Sequence, residues 1–115
     1  MATGTLKVGR RQEVTLYNGG STYRNDIGGT AKALTESING YTHIVVTLYV
    51  GNISSSSRMA IMLPSITGAQ YVPAAQSTTV GIIRYEIGSN GQSFQLLSSS
   101  FSSLFIYSVV GVRQA

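Results

Sequence analysis

The stretch LLSSSFSSLFIYSVVGV, residues 96–112, constrains the fold of this chain more than any other. Its first half is rich in serine, as a flexible linker is, and its second half is one of the most apolar runs of the sequence. Both alternating sets of positions in that run are apolar. The two sets are Leu104, Ile106 and Val110, and Phe105, Tyr107 and Val109. A strand with two apolar faces needs cover on both sides, so we predict a strand in the core or against a neighbouring subunit. The serines then form a tight polar crossing into it.

Four further segments carry strand signals, at residues 13–18, 42–51, 57–64 and 78–88. Residues 42–51, THIVVTLYVG, are rich in β-branched and aromatic residues and are apolar on both faces, which predicts a central strand. The segment 57–64 ends at Pro64, which cannot extend a ladder. After residue 88, the sequence Ser89-Asn90-Gly91 predicts a hairpin turn that brings QSFQLL back beside the preceding strand.

Two segments lack a clear pattern. Residues 30–38, TAKALTESI, contain the only cluster of helix formers, but they also fit a strand that ends in a short turn, which we expect here. Residues 65–77, SITGAQYVPAAQS, contain Gly68 and Pro73 and predict a long loop that carries Tyr71. Long loops in compact domains often have a function.

The pattern as a whole predicts an all-β fold, an antiparallel β-sandwich of jelly-roll-like architecture with about seven to eight strands. Helical periodicity is nearly missing, so no helices are expected to cover a parallel sheet. The length of 115 residues fits one domain. We expect residues 13–115 to form the sandwich and residues 1–12 to form an N-terminal arm.

The composition predicts a protein that associates with copies of itself. Charged residues make up only 10% of the chain, against 43% hydrophobic residues. Because surface charge keeps small proteins apart, a surface so poor in charge favours an obligate homo-oligomer. Cysteine is absent, which excludes disulfide bonds and thiolate zinc sites. No apolar run approaches the roughly 20 residues of a membrane helix, and residues 1–14 lack the pattern of a secretory signal, so no membrane insertion is expected.

The net charge of +4 does not by itself indicate nucleic-acid binding. The eight basic residues are scattered, and only Arg10 and Arg11 are adjacent. A phosphate-binding face normally carries a cluster or stripe of basic residues with aromatic residues between them. We therefore expect no nucleic-acid partner.

No constellation of residues predicts catalysis. The four acidic residues, Glu13, Asp26, Glu36 and Glu86, lie far apart in sequence, and His43 is the sole histidine. General acid–base catalysis needs a carboxylate pair or a partnered histidine, and metal sites need convergent ligands. We expect His43 to be a packed or edge residue, and the chain to be no enzyme and to bind no cofactor or metal.

Five residues are predicted as partner contacts. They are Arg10, Arg11, Tyr23, Arg24 and Tyr71. Tyrosine combines a broad apolar face with a hydroxyl at low entropic cost, and both of these tyrosines fall in predicted loops, where binding residues concentrate. The adjacent arginines lie in the predicted arm, and Arg24 directly follows Tyr23.

Three stretches resemble a module of tailed-bacteriophage virion proteins, often found at the C-terminal ends of tail fibres and receptor-binding proteins. They are VTLYNG at residues 14–19, LTESINGYTHIVVTLYV at residues 34–50 and FQLLSSSFSSLFIYSVVGV at residues 94–112. The last is similar to the closing hairpin of that family, whose final strand runs into a Gly-hydrophobic-basic terminus, here Gly111-Val112-Arg113. The likeness is a loose pattern over most of the chain, without an invariant motif.

The resemblance implies a non-enzymatic virion protein of the tail tip or fibre class, assembled as a homo-oligomer, often a trimer. Its partners would be other virion proteins and a host-surface polysaccharide or protein. Fibre modules usually end a long chain, whereas here only residues 1–12 precede the first predicted strand. That departure leaves two alternatives: an arm that docks on another virion protein, or a capsid decoration protein. A carbohydrate-binding module outside any virus is a third candidate.

Overall fold

The computed structural model describes residues 11–20, 24–51, 57–76 and 79–114, apart from the side chains of Arg11 and Gln76. The residues described form eight β-strands and one short 3-10 helix. The strands are β1 (Arg11–Asn18), β2 (Lys32–Ala33), β3 (His43–Val50), β4 (Arg58–Pro64), β5 (Gly68–Gln76), β6 (Thr79–Ile87), β7 (Ser93–Ser99) and β8 (Leu104–Gln114), and the 3-10 helix is Ile38–Gly40.

The strands form two four-stranded sheets, which confirms the predicted antiparallel sandwich. The first sheet has the order β1-β8-β3-β4 and the second has the order β2-β7-β6-β5. Every pair of neighbouring strands is antiparallel. The core between the sheets is apolar, because the alternation along each strand turns one set of side chains inward. Its most completely buried members include Leu16, Ile44, Ile87 and Phe94.

The strand order resembles a jelly roll in one half of the sandwich and differs from it in the other. A jelly roll pairs its first strand with its eighth, its second with its seventh, its third with its sixth and its fourth with its fifth. The β1–β8 and β2–β7 pairs are present here. In the other half β3 pairs with β4 and β5 pairs with β6, and these two hairpins replace the pairs of the third strand with the sixth and of the fourth with the fifth.

Strand β8 is central to its sheet, and so is β3, for which the sequence predicted that position. Strand β8 pairs with β1 on one side and with β3 on the other. Leu104 and Ile106 face the core, whereas Phe105 faces the outside of the sheet and is still only 1% exposed. The guanidinium of Arg24 lies 4.3 Å from the centroid of the Phe105 ring, and the Tyr49 ring centroid lies 5.8 Å from it. The chain itself therefore supplies the cover on the second face at this end of β8.

The serines before β8 form the predicted polar crossing. The Oγ of Ser99 accepts a hydrogen bond from the backbone N–H of Phe101 at 2.8 Å. Ser100 forms two hydrogen bonds with the backbone of Ile82. The Ser100 Oγ accepts from the Ile82 N–H at 2.8 Å, and the Ser100 N–H donates to the Ile82 carbonyl at 3.0 Å. Phe101 is buried between these serines and the core. The hydroxyls thus satisfy backbone groups where the regular ladder ends.

The predicted loop at residues 65–77 is wrong, because most of it is strand β5. This strand pairs with β6 over its full length and forms the edge of its sheet. An edge strand tolerates Pro73, since one side of the strand needs no donor. The proline and the small residues around it hid the strand in the sequence. Tyr71 therefore lies in a strand and not in a loop.

The remaining boundaries differ little from the expectations. Strand β1 begins at Arg11, so two residues assigned to the predicted arm are already in the sheet; residues 1–10 lie outside the described part of the chain. The segment after residue 30 forms a strand of two residues and then the 3-10 helix, whose first turn is capped by the Ser37 hydroxyl. The hairpin turn between β6 and β7 is confirmed by the hydrogen bond from the Gly91 N–H to the Gly88 carbonyl at 2.8 Å.

A crossing segment at residues 24–28 ties the two sheets together. Beyond the end of β1 this segment lies beside β8, where β1 would otherwise continue. The Asp26 N–H donates to the Leu104 carbonyl at 2.7 Å, and the Ile106 N–H donates to Asp26 Oδ2 at 2.8 Å. It then reaches the second sheet, where the Gly28 N–H donates to the Leu96 carbonyl at 2.9 Å. One short segment therefore bonds to both sheets.

Asp26 is the buried charge of this crossing, at 4% exposure. Its Oδ1 lies 2.9 Å from Arg24 Nε and 3.3 Å from Lys32 Nζ, so two cations neutralise it. A buried carboxylate is tolerated only with such partners and with hydrogen bonds on its remaining oxygen, which the Ile106 N–H provides. The cluster fixes the course of the chain from residue 24 to β2.

Tyr41 closes one end of the core. A Cβ at Gly111 would lie 2.7 Å from a carbon of the Tyr41 ring, so the ring occupies the space that a side chain there would need. The Arg113 guanidinium lies 4.7 Å from the ring centroid, and the hydroxyl donates to Glu36 Oε1 at 2.8 Å. Burial, followed by this hydrogen bond, raises the pKa of Tyr41, and burial raises the pKa of Tyr85.

Removal of the last strand is expected to abolish folding. A chain truncated after Ser103 lacks β8, which leaves β1 without a partner strand and exposes the inner edge of β3. Circular dichroism and gel filtration of the purified product measure this. Deletion of residues 114–115 alone is the control and should leave the fold intact. A soluble, cooperatively folding product that ends at Ser103 would contradict the central role of β8.

Neutralising Asp26 is expected to destabilise the protein by about 3 kcal/mol, because Arg24 and Lys32 lose their shared counter-charge while the polar site stays buried. Asp26→Asn keeps the size of the side chain, and urea unfolding gives the free energy of unfolding. Glu86→Gln is the matched control: this exposed carboxylate on β6 should change stability by less than about 0.5 kcal/mol. Equal effects of the two substitutions would argue against the cluster.

The protein is expected to lose stability as the pH rises above 10. The unfolded chain has tyrosines with the ordinary pKa of 10.0, whereas Tyr41 and Tyr85 hold their protons more strongly in the fold. Their contribution to stability is complete below pH 10 and is lost as the pH rises through the raised pKa values. Urea unfolding at a series of alkaline pH values should show a shallower loss for Tyr85→Phe than for the unmodified protein. An unchanged slope in that variant would contradict this account.

Candidate assembly interface

The outer face of the β5–β6 hairpin is the most exposed apolar surface of the described chain. Tyr71 is 71% exposed, Val80 76% and Ile82 55%, and all three lie on this one face. We call this surface the hairpin face. Its residues are Ala69, Tyr71, Pro73 and Ala75 of β5 and Val80, Ile82, Arg84 and Glu86 of β6.

The strand register arranges the hairpin face in four rows, each with one residue from either strand. Successive rows pair Ala75 with Val80, Pro73 with Ile82, Tyr71 with Arg84 and Ala69 with Glu86. The alternate positions turn inward, where Ala74, Ile83 and Tyr85 are buried. Since cross-strand neighbours on one face touch, the first two rows form a continuous aliphatic surface.

One end of the hairpin extends beyond the third strand of its sheet. Strand β6 pairs with β7 only from Ile83 to Ile87. At Ile82 the backbone N–H donates instead to the hydroxyl of Ser100. Beneath this end lies the Phe101 ring, and a Cβ at Gly81 would be 2.9 Å from one of its carbons. The glycine lets the ring support the hairpin from the inner side. The end of the hairpin that carries the aliphatic rows is therefore packed on its inner side.

Charge is confined to the other end of the hairpin face. The Arg84 guanidinium lies 5.6 Å from the centroid of the Tyr71 ring, within the range of a cation–π contact. Glu86 is the next outward residue on β6 and is exposed. One cation and one anion leave the face without net charge. It offers a partner aliphatic contact area, one aromatic ring and one ion of each sign.

A second apolar row lies on the opposite side of the sandwich, on the outer face of the first sheet. The register aligns Thr15 of β1, Val110 of β8, Val45 of β3 and Met62 of β4 across that sheet. Met62 is exposed, and the two valines are partly exposed. We call these four residues the Met62 row. No charged side chain belongs to it.

Of the five predicted contact residues, Tyr71 lies on the hairpin face. Arg10 and Tyr23 lie outside the described residues, and Arg11 is in β1 with a side chain that is not described. Arg24 makes several contacts within the fold, and its predicted partner contact stays a prediction. Besides Asp26, its guanidinium donates to the Gly19 carbonyl at 3.1 Å, the Tyr17 hydroxyl at 3.2 Å and the Ile106 carbonyl at 3.1 Å.

Val80 and Ile82 are interface candidates that the sequence pattern did not single out. Over residues 80–83 of β6 both alternating sets of residues lack polar side chains, so this part of the sequence does not show which set is exposed to solvent. The set of Val80 and Ile82 continues into Arg84 and Glu86, whereas the other set continues into buried Tyr85 and Ile87. The two charges thus mark the outer face, and they were the available signal.

No cluster of metal-ligating side chains forms among the described residues. In residues 11–20, 24–51, 57–76 and 79–114 no three His, Asp or Glu side chains are grouped as metal ligands would be. His43 lies in β3 between Pro64 of β4 and Val112 of β8, as a residue packed in the sheet, and its Nδ1 is 3.2 Å from the Thr42 hydroxyl. The described part of the chain also contains no helix with the length and apolarity that crossing a membrane requires.

No protein-family model matches the chain, and no curated protein matches it significantly. The resemblance to phage virion modules therefore stays a prediction from the residues quoted above.

Proposed function

We propose that this protein is a non-enzymatic structural protein of a tailed-bacteriophage particle, of the tail tip or fibre class, that uses the hairpin face to bind another virion protein or a host-surface receptor. The observation that carries the proposal is the exposure of Tyr71, Val80 and Ile82 on one face. Single exposed apolar residues are ordinary, but a contiguous apolar patch on a small domain indicates an interaction surface.

The construction of the hairpin face suits binding by a preformed surface. Both strands are fixed by a nine-residue antiparallel ladder, and Phe101 and Ser100 support the hairpin from within. A surface that is already ordered loses little conformational entropy when a partner docks. Phage particles contain many copies of their structural proteins, so even a weak contact of this kind gives firm attachment through avidity.

The chemistry of the aliphatic rows favours a protein partner over a polysaccharide. Val80, Ile82 and Pro73 carry no side-chain donor or acceptor, so the hydroxyls of a sugar covered by these rows would lose their bonds to water without replacement. Tyr71 and Arg84 offer polar groups only at one end. A protein surface with its own apolar residues satisfies the same rows without that loss.

The Met62 row favours a second candidate, a capsid decoration protein that stabilises the phage head. This row and the hairpin face lie on opposite outer faces of the sandwich. A subunit with an apolar surface on both sides is suited to lie between two neighbours, as a decoration protein does. The number of copies per particle distinguishes a tail protein from a decoration protein of the head.

The location of the chain in purified phage particles tests the proposal. We expect quantitative mass spectrometry to find the chain in intact particles and antibody labelling in the electron microscope to mark the tail, with fewer copies per particle than a decoration protein has. Label over the head with copies in the hundreds would establish the decoration protein instead. Particles of the phage that encodes the chain, purified to homogeneity without it, would refute both candidates.

A substitution on the hairpin face tests whether this face makes the contact. Ile82→Glu places a charge in the aliphatic rows, so we expect the amount of chain in particles to fall at least tenfold. Gln92→Glu adds the same charge at an exposed position outside the hairpin face and should leave incorporation unchanged. Equal incorporation of the two variants would show that another surface binds the particle.

A further inference from the structure

We propose that a second copy of this chain docks on the hairpin face, across a two-fold axis that passes through the row of Pro73 and Ile82. The inference rests on the proposed function in taking this face as the assembly contact, and it names the partner as the protein itself. A two-fold dimer replaces the trimer that the resemblance implies, because only a two-fold axis brings one surface patch against itself.

The sizes of the side chains make the hairpin face complementary to itself about this axis. The axis lies in the plane of contact, perpendicular to the strands, and passes through the Pro73–Ile82 row. The row of Tyr71 and Arg84 in one copy then lies over the row of Ala75 and Val80 in the other copy. The large Tyr71 then lies over the small Ala75 of the second copy. Large side chains opposite small ones let two faces interdigitate at the density of a protein interior.

The charges are also compatible with this arrangement. Arg84 lies over Val80 of the second copy, where its aliphatic stem covers the valine and its guanidinium reaches the solvent at the rim. The two copies of Arg84 are two rows apart along the strands, at about 14 Å from the repeat of residues on one strand face. This separation exceeds the Debye length of about 8 Å at physiological salt, so the like charges are screened. A face without net charge meets itself without repulsion.

A second copy fits this face better than a strongly charged partner. The cation, Arg84, lies against Tyr71, and the anion, Glu86, lies at the rim. Because the hairpin face has no net charge, it does not attract a strongly acidic or basic surface. The edge of β5 does not supply the contact, since Pro73 interrupts its row of donors. The contact is therefore between faces and not between edges.

The area of the hairpin face predicts a weak dimer. Four rows on two strands measure about 27 Å by 10 Å from the spacings of a β-sheet. This footprint is well below the roughly 800 Å² per partner of a standard interface. We expect a dissociation constant on the order of 10 to 100 μM, which many copies on one particle convert into stable association.

Analytical ultracentrifugation of the full chain from about 5 to 500 μM tests the inference. A monomer–dimer equilibrium is expected, and Ile82→Glu should weaken it at least tenfold, because two carboxylates then face each other across the axis. Ile82→Thr keeps the β-branched shape and should weaken it several-fold. Gln92→Glu is the charge control. Circular dichroism verifies that each variant is folded. A monomer at all concentrations, a trimer, or an unchanged dimer in both Ile82 variants would overturn the inference.

Crosslinking tests the position of the axis. Because the chain has no cysteine, Ile82→Cys introduces a single thiol. Only at the axis does a residue meet its own copy, so a bismaleimide that spans the about 10 Å between packed sheets should link Ile82→Cys chains into dimers. Gln92→Cys should stay monomeric under the same conditions. Efficient linking at residue 92 and none at residue 82 would exclude this axis.

The outcome for the dimer is separate from the outcome for the proposed function. A dimer in solution from a chain that is missing from phage particles would remove the proposed function and keep the interface. Incorporation into particles by a chain that is monomeric in solution at 500 μM would remove the dimer and keep the function.

Discussion

The buried carboxylate of Asp26 is the interaction on which the arrangement of the two sheets depends. It lies where β1 has ended and β8 still has unpaired backbone groups, and it satisfies one of them, the Ile106 N–H. Arg24 and Lys32 neutralise it from two directions, and Arg24 also covers the outer face of Phe105. One charge therefore fixes the crossing between the sheets and, through Arg24, the cover on the outer side of the central strand.

The fold was largely predictable because the two central strands are apolar on both faces. Strands β3 and β8 could only be placed inside a layered structure, and the serines that interrupt the chain before β8 could be assigned to backbone capping. Strand β5 could not be predicted, since its pairing depends on an edge position that local sequence does not reveal. Pro73 indicates a loop in most contexts, and only its place at the sheet edge makes it compatible with a strand.

The candidate site was predictable only at Tyr71. The chemistry of the Tyr71 side chain predicts a contact residue, although the sequence around it predicts a loop and not strand β5. Arg24 shows what the sequence could not predict: its guanidinium bonds to Asp26 and to the carbonyl of Ile106, 82 positions away. Contacts between residues so distant in the chain arise from the packing of the sheets, and no local pattern records them. The exposure of Val80 and Ile82 depends in the same way on which face of β6 meets the core.

The contact between Tyr41 and Gly111 has a consequence for the evolution of this chain. The ring lies where a Cβ at position 111 would be, so the two positions share one volume. Any side chain at residue 111 requires a smaller one at residue 41, and loss of the ring would open a cavity that a larger residue at 111 could fill. In a set of homologous sequences the two positions should therefore covary in size, with glycine at one wherever tyrosine stands at the other.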